Sequence, residues 1–516
     1  MIYQFNQVTI DTERFRLTLL DELVSVEPLV FDLLVYLIEH RDRVVTRDEL
    51  LDNLWHGKVV TDTALGVRIK DVRKAVQDNG AKQEVIKTFH GRGYQFIAEV
   101  TESPENKSNT LKGKSTATQK ALSLPDIPSI AVLPFTNMSG DAQQEYFVDG
   151  MTDEIITGLS RVPGLFVVAS NSTMVYKGRA VDIKEVGREQ GVRYVLEGSF
   201  RKVGNQIRVS AQLIDAVSGL HVWAERYQKK LDDIFAVQDD IAHAVVVELQ
   251  VKLLTGEHSR LWATGTNSVE AWELLIRSRE LLISLVRDDA LIARQLLKQA
   301  LDLDEDYSAA WALLGWTYWQ ESVWNWCTEP EKSMQKAFDA AQKSLESDLL
   351  YPDGFSLLGH IYMIRGETAQ AIENNERAVE LAPSDSRVTA LLGNVLIDSG
   401  RIKEGIQKML RAIRLCPIPP AWYLMVLGSG YHLNEDNENA ISTLEQAVEG
   451  MPDSIFPLLW LASTLVEKGR LDEARVISRS VLDIKPDFSA KEWANSFRSS
   501  SHARLKSNLF TAGFTE

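Results

Sequence analysis

In the C-terminal half of this 516-residue chain, two kinds of landmark recur at one spacing. Leu358-Gly359, Leu392-Gly393, Leu427-Gly428 and Leu461-Ala462 stand 34, 35 and 34 residues apart, and Pro383, Pro417, Pro452 and Pro486 repeat the same intervals. Small residues mark the second half of each unit, as in Ala371/Ala378, Gly405/Ala412 and Ala440/Ala447. A unit of this length cannot bury its own apolar face, so neighbours must stack into a quasi-one-dimensional array. Small residues let two helices of a unit approach closely. Each Pro then stops the second helix before the next unit begins. Six units begin near 269, 307, 351, 385, 419 and 454, with an insertion in the second around Glu321–Glu331. They span 266–488, and a capping helix and tail follow over 489–516.

Trp311, Leu314, Gly315 and Tyr318 fit the pattern W-x2-L-G-x2-Y. On these landmarks the region resembles the tetratricopeptide repeat family, which implies an all-α solenoid. Trp311, Trp316, Trp319, Trp324 and Trp326 read first as repeat core; a ligand groove is the second reading.

The most informative stretch for function is 61–96. It carries seven Lys/Arg against four Asp/Glu, whereas residues 1–100 carry 13 against 16 and the whole chain is at −16. A local basic patch on an acidic protein suits a confined anion-binding face rather than a coat over the whole surface. The pattern reads as an amphipathic helix over Thr63–Val76, a turn, and a hairpin with Gly91-Arg92-Gly93 at its tip. Leu65, Ile69, Val72 and Val76 fall at helical spacing and face a core. Upstream, short strands over 2–26 precede a helix at Pro28–His40. A second helix at Arg47–Trp55 opens after Thr46, with Glu49 completing a capping box.

The texts EPLVFDLLVYLIEHRDRVVTRDELLDNLW, VRIKDVRKAV and VIKTFHGRGYQF cover essentially all of residues 1–100. On them the region resembles the OmpR/PhoB-type winged-helix family, in which the third helix enters the DNA major groove and the wing reaches the neighbouring minor groove. Carried over by position, the resemblance implies that Thr63, Arg68, Lys70, Arg73 and Lys74 face DNA from the helix and Arg92 from the wing. Arg suits guanine edges, Lys and Thr phosphates. Two departures temper affinity: Asp71 stands where a base is common, and Gly66 sits mid-helix at a propensity cost of about 1 kcal/mol. The loop at 56–61 corresponds to a segment that contacts RNA polymerase in some members. The reader comes first in the chain, as in the CadC/ToxR/HilA-like group.

Residues 101–127 are rich in Ser, Thr, Lys and Asn without hydrophobic period and read as a flexible linker. From 128 to 255 the pattern is a small α/β domain: strands at Ser129–Phe135 and Leu165–Ala169, a hairpin of Tyr194–Arg201 and Gln206–Ile214 across Gly204-Asn205, and a strand at His221–Tyr227. Helices lie at Glu154–Leu159, Ile183–Gln190 and Leu231–Leu253. Its text resembles the TolB-N-like domain, which implies a binding or assembly module.

The fold class expected is therefore multidomain α+β: a winged helix-turn-helix, a small α/β domain and an all-α tetratricopeptide-repeat solenoid. No phosphate loop, GxGxxG, HExxH or G-x-S-x-G motif occurs. The two cysteines, Cys327 and Cys416, give no metal spacing. No catalytic residue, metal or cofactor is expected. No signal peptide opens the sequence and no run of about 18 uncharged apolar residues occurs, so a cytoplasmic protein without a membrane span is expected. The reading is a transcriptional regulator on double-stranded promoter DNA. RNA polymerase is a candidate partner, a protein or small-molecule effector acts at the repeats, and a homodimer forms on DNA. Two alternatives stay open: a repeat-based interaction scaffold, and a nucleotide- or ligand-binding regulator centred on the α/β domain.

Overall fold

The computed structural model describes all residues except 1, 7, 12–15, 20–21, 25–27, 42, 48, 51–61, 77, 79–82, 84, 90–91, 99, 104–121, 142–143, 180, 250, 252–264, 284–285, 325, 497–503 and 515–516. The chain divides into two units, Met1–Ala117 and Thr118–Glu516.

In the first unit, β1 (Ile2–Phe5), β2 (Val8–Asp11), β3 (Arg16–Leu19) and β4 (Glu22–Val24) form an antiparallel meander. Its other edge is closed by Thr101–Ser103, which pairs with β1 in the register Ile2↔Ser103. Residues 101–103, expected as linker, are strand instead, because they satisfy their backbone on a sheet edge; residues 104–121 lie outside the described residues. Helix α1 (Pro28–Glu39) buries Val30, Leu33, Leu34, Leu37 and Ile38. That spacing of three and four puts them on one stripe. Thr46 caps the next helix as expected: its Oγ1 accepts from Glu49 N at 3.2 Å, and the Glu49 carboxylate accepts from the Thr46 backbone. The remainder of that helix and the 56–61 loop lie outside the described residues. Helix α2 (Asp62–Ala75) leads to a hairpin of β6 (Ile86–Phe89) and β7 (Gly93–Phe96), and Val45–Thr46, β5, pairs with β7. The core joins all of these through Phe5, Ile10, Leu33, Ile69, Val72 and Phe96, with Phe5 edge-on to Phe96 at 4.9 Å.

The second unit opens on a mixed sheet. Its path runs Phe166–Val167, Ser129–Val132, Tyr194–Val203, Gln206–Asp215, His221–Lys230. The hairpin expected across Gly204-Asn205 is present and longer than its apolar alternation, and Gly204 takes φ 59° at the turn. Helices α3 (Glu145–Ser160) and α4 (Ile234–Glu248) cover one sheet face, over Leu196, Phe200, Val209 and Leu213. The Ile183–Gln190 helix covers part of the other. It is started by Asp182, whose carboxylate accepts from Lys184 N, and ended by Gly191 at φ 61°.

Beyond it stand six antiparallel helix pairs: Val269–Ile283 with Arg287–Leu303, Ser308–Val323 with Pro330–Ser347, and Pro352–Arg365 with Thr368–Leu381. Then come Ser386–Asp398 with Ile402–Leu415, Ala421–Leu433 with Asn437–Gly450, and Ile455–Glu467 with Leu471–Ile484. The landmark prolines follow the second helices by two residues, at 383, 417, 452 and 486. Gly393 and Gly405 show why small residues recur: a Cβ on Gly405 would stand 2.7 Å from the Gly393 carbonyl oxygen. After the last repeat, where a capping helix and tail are expected, two short helices are described. Ala490–Ser496 and Leu505–Thr511 are helical, and Leu505, Leu509 and Phe514 bury against the last repeat.

The α/β domain and the solenoid share a core, which periodicity alone does not reveal. Trp272 of the first repeat meets Phe147 edge-on at 4.9 Å and Phe235 at 5.9 Å. Elsewhere the domain sits on the junctions where one repeat hands over to the next. Ser384 N donates to Ser160 O at 3.1 Å and Ser384 Oγ to Leu165 O at 2.6 Å, while Ala169 N donates to Leu415 O at 2.8 Å. Arg414 donates to the carbonyls of Gln190, Gly191 and Ser123 at 3.2, 2.8 and 2.8 Å. These junction backbones have left their helices, so their polar groups need partners, and the α/β domain supplies them.

Candidate nucleic-acid interface

The candidate interface is built by α2 and the β6–β7 hairpin. Burial of Ile69, Val72, Ala75 and Val76 fixes the rotation of α2 about its axis. That rotation leaves Lys70 and Lys74 exposed. One turn apart, the two ammonium groups form a row on one helical stripe. Arg68 is half-buried. The helix carries Thr63 in its first turn, but the Thr63, Gly66 and Asp71 surroundings lie outside the described residues.

Arg73 departs from expectation. Its guanidinium donates to the Ile86 carbonyl and to Thr88 Oγ1, both at 2.8 Å. It also lies 3.8 Å from the carboxylate of Asp78, and its side chain is only 13% exposed. Asp78, buried, accepts from Ile86 N at 3.0 Å, and Thr88 N donates to Gln83 Oε1 at 2.7 Å. Arg73 thus brackets the end of α2 to the first strand of the wing instead of joining the Lys70/Lys74 row. Its position in the family pattern placed it toward DNA; the wing strand that folds back over that flank is what encloses it.

At the wing, Arg92 N donates to Phe89 O at 2.9 Å, closing the turn, and the Arg92 side chain is exposed. Gly93 takes φ 152°, and a Cβ there would overlap the Val45 carbonyl group. Only glycine lets β5 and β7 approach so closely while the chain leaves the turn. Lys87, not singled out by the sequence reading, is exposed on β6, with its ammonium 5.4 Å from the Phe89 ring centre. The alternation Ile86 in, Lys87 out was the available signal. The exposed cations among the described residues of this face are therefore Lys70 and Lys74 on the helix and Lys87 and Arg92 on the wing.

A charged cluster ties the start of the helix after Thr46 to α1. Glu49 accepts two hydrogen bonds from Arg43 at 2.8 and 2.6 Å and one from Tyr36 OH at 3.0 Å. Hydrogen bonding to Arg43 outweighs desolvation and holds the Glu49 carboxyl down at about 2.

The tryptophan group of the repeats falls into three places. Trp316 and Trp319 meet edge-on at 5.4 Å and both pack on His360, whose burial lowers its pKa to about 4. Trp324 and Trp326 meet separately at 4.7 Å, and Trp311 Nε1 donates to Glu305 O at 2.8 Å. Among the described residues, no helix is long and apolar enough to cross a membrane, and no group of three or more His, Cys, Asp or Glu side chains could hold a metal ion.

Comparison with known proteins follows this division. Residues 21–96 match the family described as transcriptional regulatory protein, C terminal, and residues 126–244 match the HilA/YgeH-like transcriptional regulator, second domain. Residues 357–417 match the tetratricopeptide repeat. Among curated proteins, a putative adenylate cyclase 3 of Rhizobium meliloti is 46% identical over 231 residues, 45% of this chain and 39% of that protein. The transcriptional regulator HilA of Salmonella typhi is 22% identical over 467 residues, 89% of this chain and 79% of that protein. The chain thus spans well under half of the first relative's length and most of the second's. Among solved structures, the Klebsiella pneumoniae RstA DNA-binding domain in complex with the RstA box is 33% identical. It covers 18% of this chain and 95% of that one, with a TM-score of 0.18.

Proposed function

We propose that this chain, which joins an OmpR/PhoB-type winged-helix domain to a HilA/YgeH-like second domain and tetratricopeptide repeats, is a DNA-binding transcriptional regulator. The observation that carries the reading is the exposed Lys70/Lys74 row on α2, tied through Arg73 to a wing that exposes Lys87 and Arg92. Such a helix suits a major groove, and the wing cations suit the adjacent backbone. In this reading Arg68 approaches base edges, Thr63 contacts a phosphate from the first turn, Lys70, Lys74, Lys87 and Arg92 neutralise phosphates, and Arg73 positions the wing. Two copies bind head-to-tail on direct repeats in the cytoplasm, and the solenoid takes a protein partner or effector.

A salt-titrated gel shift tests this. The chain should bind a promoter fragment with log K falling linearly in log salt, with a slope of about −0.9 per phosphate neutralised. Lys70→Ala with Lys74→Ala should flatten that slope by about 2. An unchanged slope would remove the row from the interface.

A non-enzymatic role goes with this reading. The relative named as a cyclase is matched over a minority of its length, so the shared part is read as the common regulatory portion. Conversion of ATP to cyclic AMP by the purified chain would overturn that.

A further inference from the structure

Between α3, α4 and the first repeats lies a polar cavity that the DNA-reading function does not use. Its wall includes Glu154 and Arg161 on or after α3, Gln238 and Asp239 on α4, and Arg279, Tyr307 and Tyr351 from the solenoid. The free space is about 40 Å³. At about 10–15 Å³ per water-sized occupant, that is room for three or four heavy atoms.

The wall's polar groups are unevenly satisfied. Arg279 is occupied, donating to Asp153 and Glu154, each at 3.0 Å. Gln238 is only 4% exposed, yet among the described residues neither its amide nitrogen nor its amide oxygen has a hydrogen-bond partner. Arg161 stands over the Tyr351 ring at 5.7 Å, so this aromatic face already receives a cation, and the buried Arg161 Nε has no hydrogen-bond partner among the described residues. Asp239 sits beside Asp240 and Glu154 with no ion pair among the described residues, and burial with these like charges raises its carboxyl to about 7. A buried amide with two unmet bonds costs free energy unless something fills the gap, and an unpaired carboxylate beside it selects for positive charge.

We propose that this cavity binds a small organic ammonium of three or four heavy atoms, with the ammonium donating to Asp239 and to the Gln238 amide oxygen and its carbon body against the tyrosine rings. Because the wall is drawn from both the α/β domain and the solenoid, an occupant fastens one to the other. That makes the site an effector site within the regulatory portion. The regulatory consequence rests on the function proposed above, but the binding itself does not.

The test is a melting and calorimetric titration of the full chain, without DNA, at constant ionic strength. Ethylammonium and ethanolamine are the probes, with 1-propanol as the neutral control of like size, tetramethylammonium as the oversized cation, and potassium as the inorganic one. The expected result is a saturable rise in melting temperature with the two primary ammonium probes only. Affinity should fall at least tenfold in Asp239→Asn and in Gln238→Leu, each checked for folding by its own melting transition. No saturable rise, or a rise unchanged in both variants, overturns the site. An equal rise with potassium overturns the organic-ammonium assignment. A gel shift of the same preparation tells failure of this site from failure of DNA binding.

Discussion

Arg73 offers the sharpest test of how the winged-helix domain is put together. Replacing it by Ala removes two hydrogen bonds from a charged guanidinium, to Ile86 O and Thr88 Oγ1, and leaves Asp78 buried 3.8 Å from where its cation stood. Charge-assisted bonds of this kind contribute about 1.5–3 kcal/mol each, and relaxation of the exposed end of the wing returns part of that. A net loss of about 3 kcal/mol follows for the first unit. With a urea dependence of about 1–3 kcal/mol per molar, the midpoint should fall by about 1–3 M. Residues 1–117 are suitable for the measurement, since this unit has its own apolar core. Arg73→Lys should recover only part of the loss, because an ammonium cannot reproduce the fork that spans two acceptors. Bound to DNA, the Arg73→Ala domain should keep the salt slope of the parent, with affinity lowered alike on specific and random sequence. If the variant unfolds within about 0.5 kcal/mol of the parent while the slope flattens by about 0.9, Arg73 touches phosphate and the bracket reasoning fails.

Other consequences are as direct. Arg92→Ala should flatten the salt slope by about 0.9 and leave the urea midpoint in place, because its side chain is exposed. Gly93→Ala should destabilise the first unit by more than about 2 kcal/mol in urea melts, since the new methyl group would overlap the Val45 backbone. Arg414→Ala strips cations from three carbonyls at the seam between the α/β domain and the solenoid. Limited proteolysis should then cut near 191 or 416 severalfold faster. For Asp239 the folded carboxyl titrates near 7 and the unfolded one near about 3.9, so the folded state holds the proton more tightly. Its cost is absent below pH about 4, grows as pH climbs to 7, and is constant above; the groups facing it are Glu154 and Asp240, with Arg161 and Arg279 in the same wall. Discounted for its partial exposure, Asp239→Asn should add about 1–2 kcal/mol at pH 8 and nothing at pH 4 in paired denaturation curves.

How far the sequence carries depends on whether a feature is periodic or is made by distant segments meeting. The six repeats were legible because stacking imposes the same demand every 34 or 35 residues, and the prolines and small residues answer it each time. The apolar stripes of α1 and α2 were legible for the same reason at a period of 3.6. Thr101–Ser103 looked like linker because its residues are polar; an edge strand needs only its backbone, which composition does not report. The bonds of Arg73 to the wing were hidden for a related reason. Its position in a family pattern says nothing about a hairpin 13 residues later that closes over the flank. The seam between the α/β domain and the solenoid is the largest case. Ser384 and Arg414 sit in loops and helix ends that any repeat protein would leave polar, and only the folded chain brings them to Ser160, Leu165 and Gly191. That seam bears on control. A solenoid hinged freely to its neighbour would transmit little. One that shares Trp272 with the sheet domain's core is packed to it, so a load on the first repeat reaches the sheet domain through Trp272, Phe147 and Phe235.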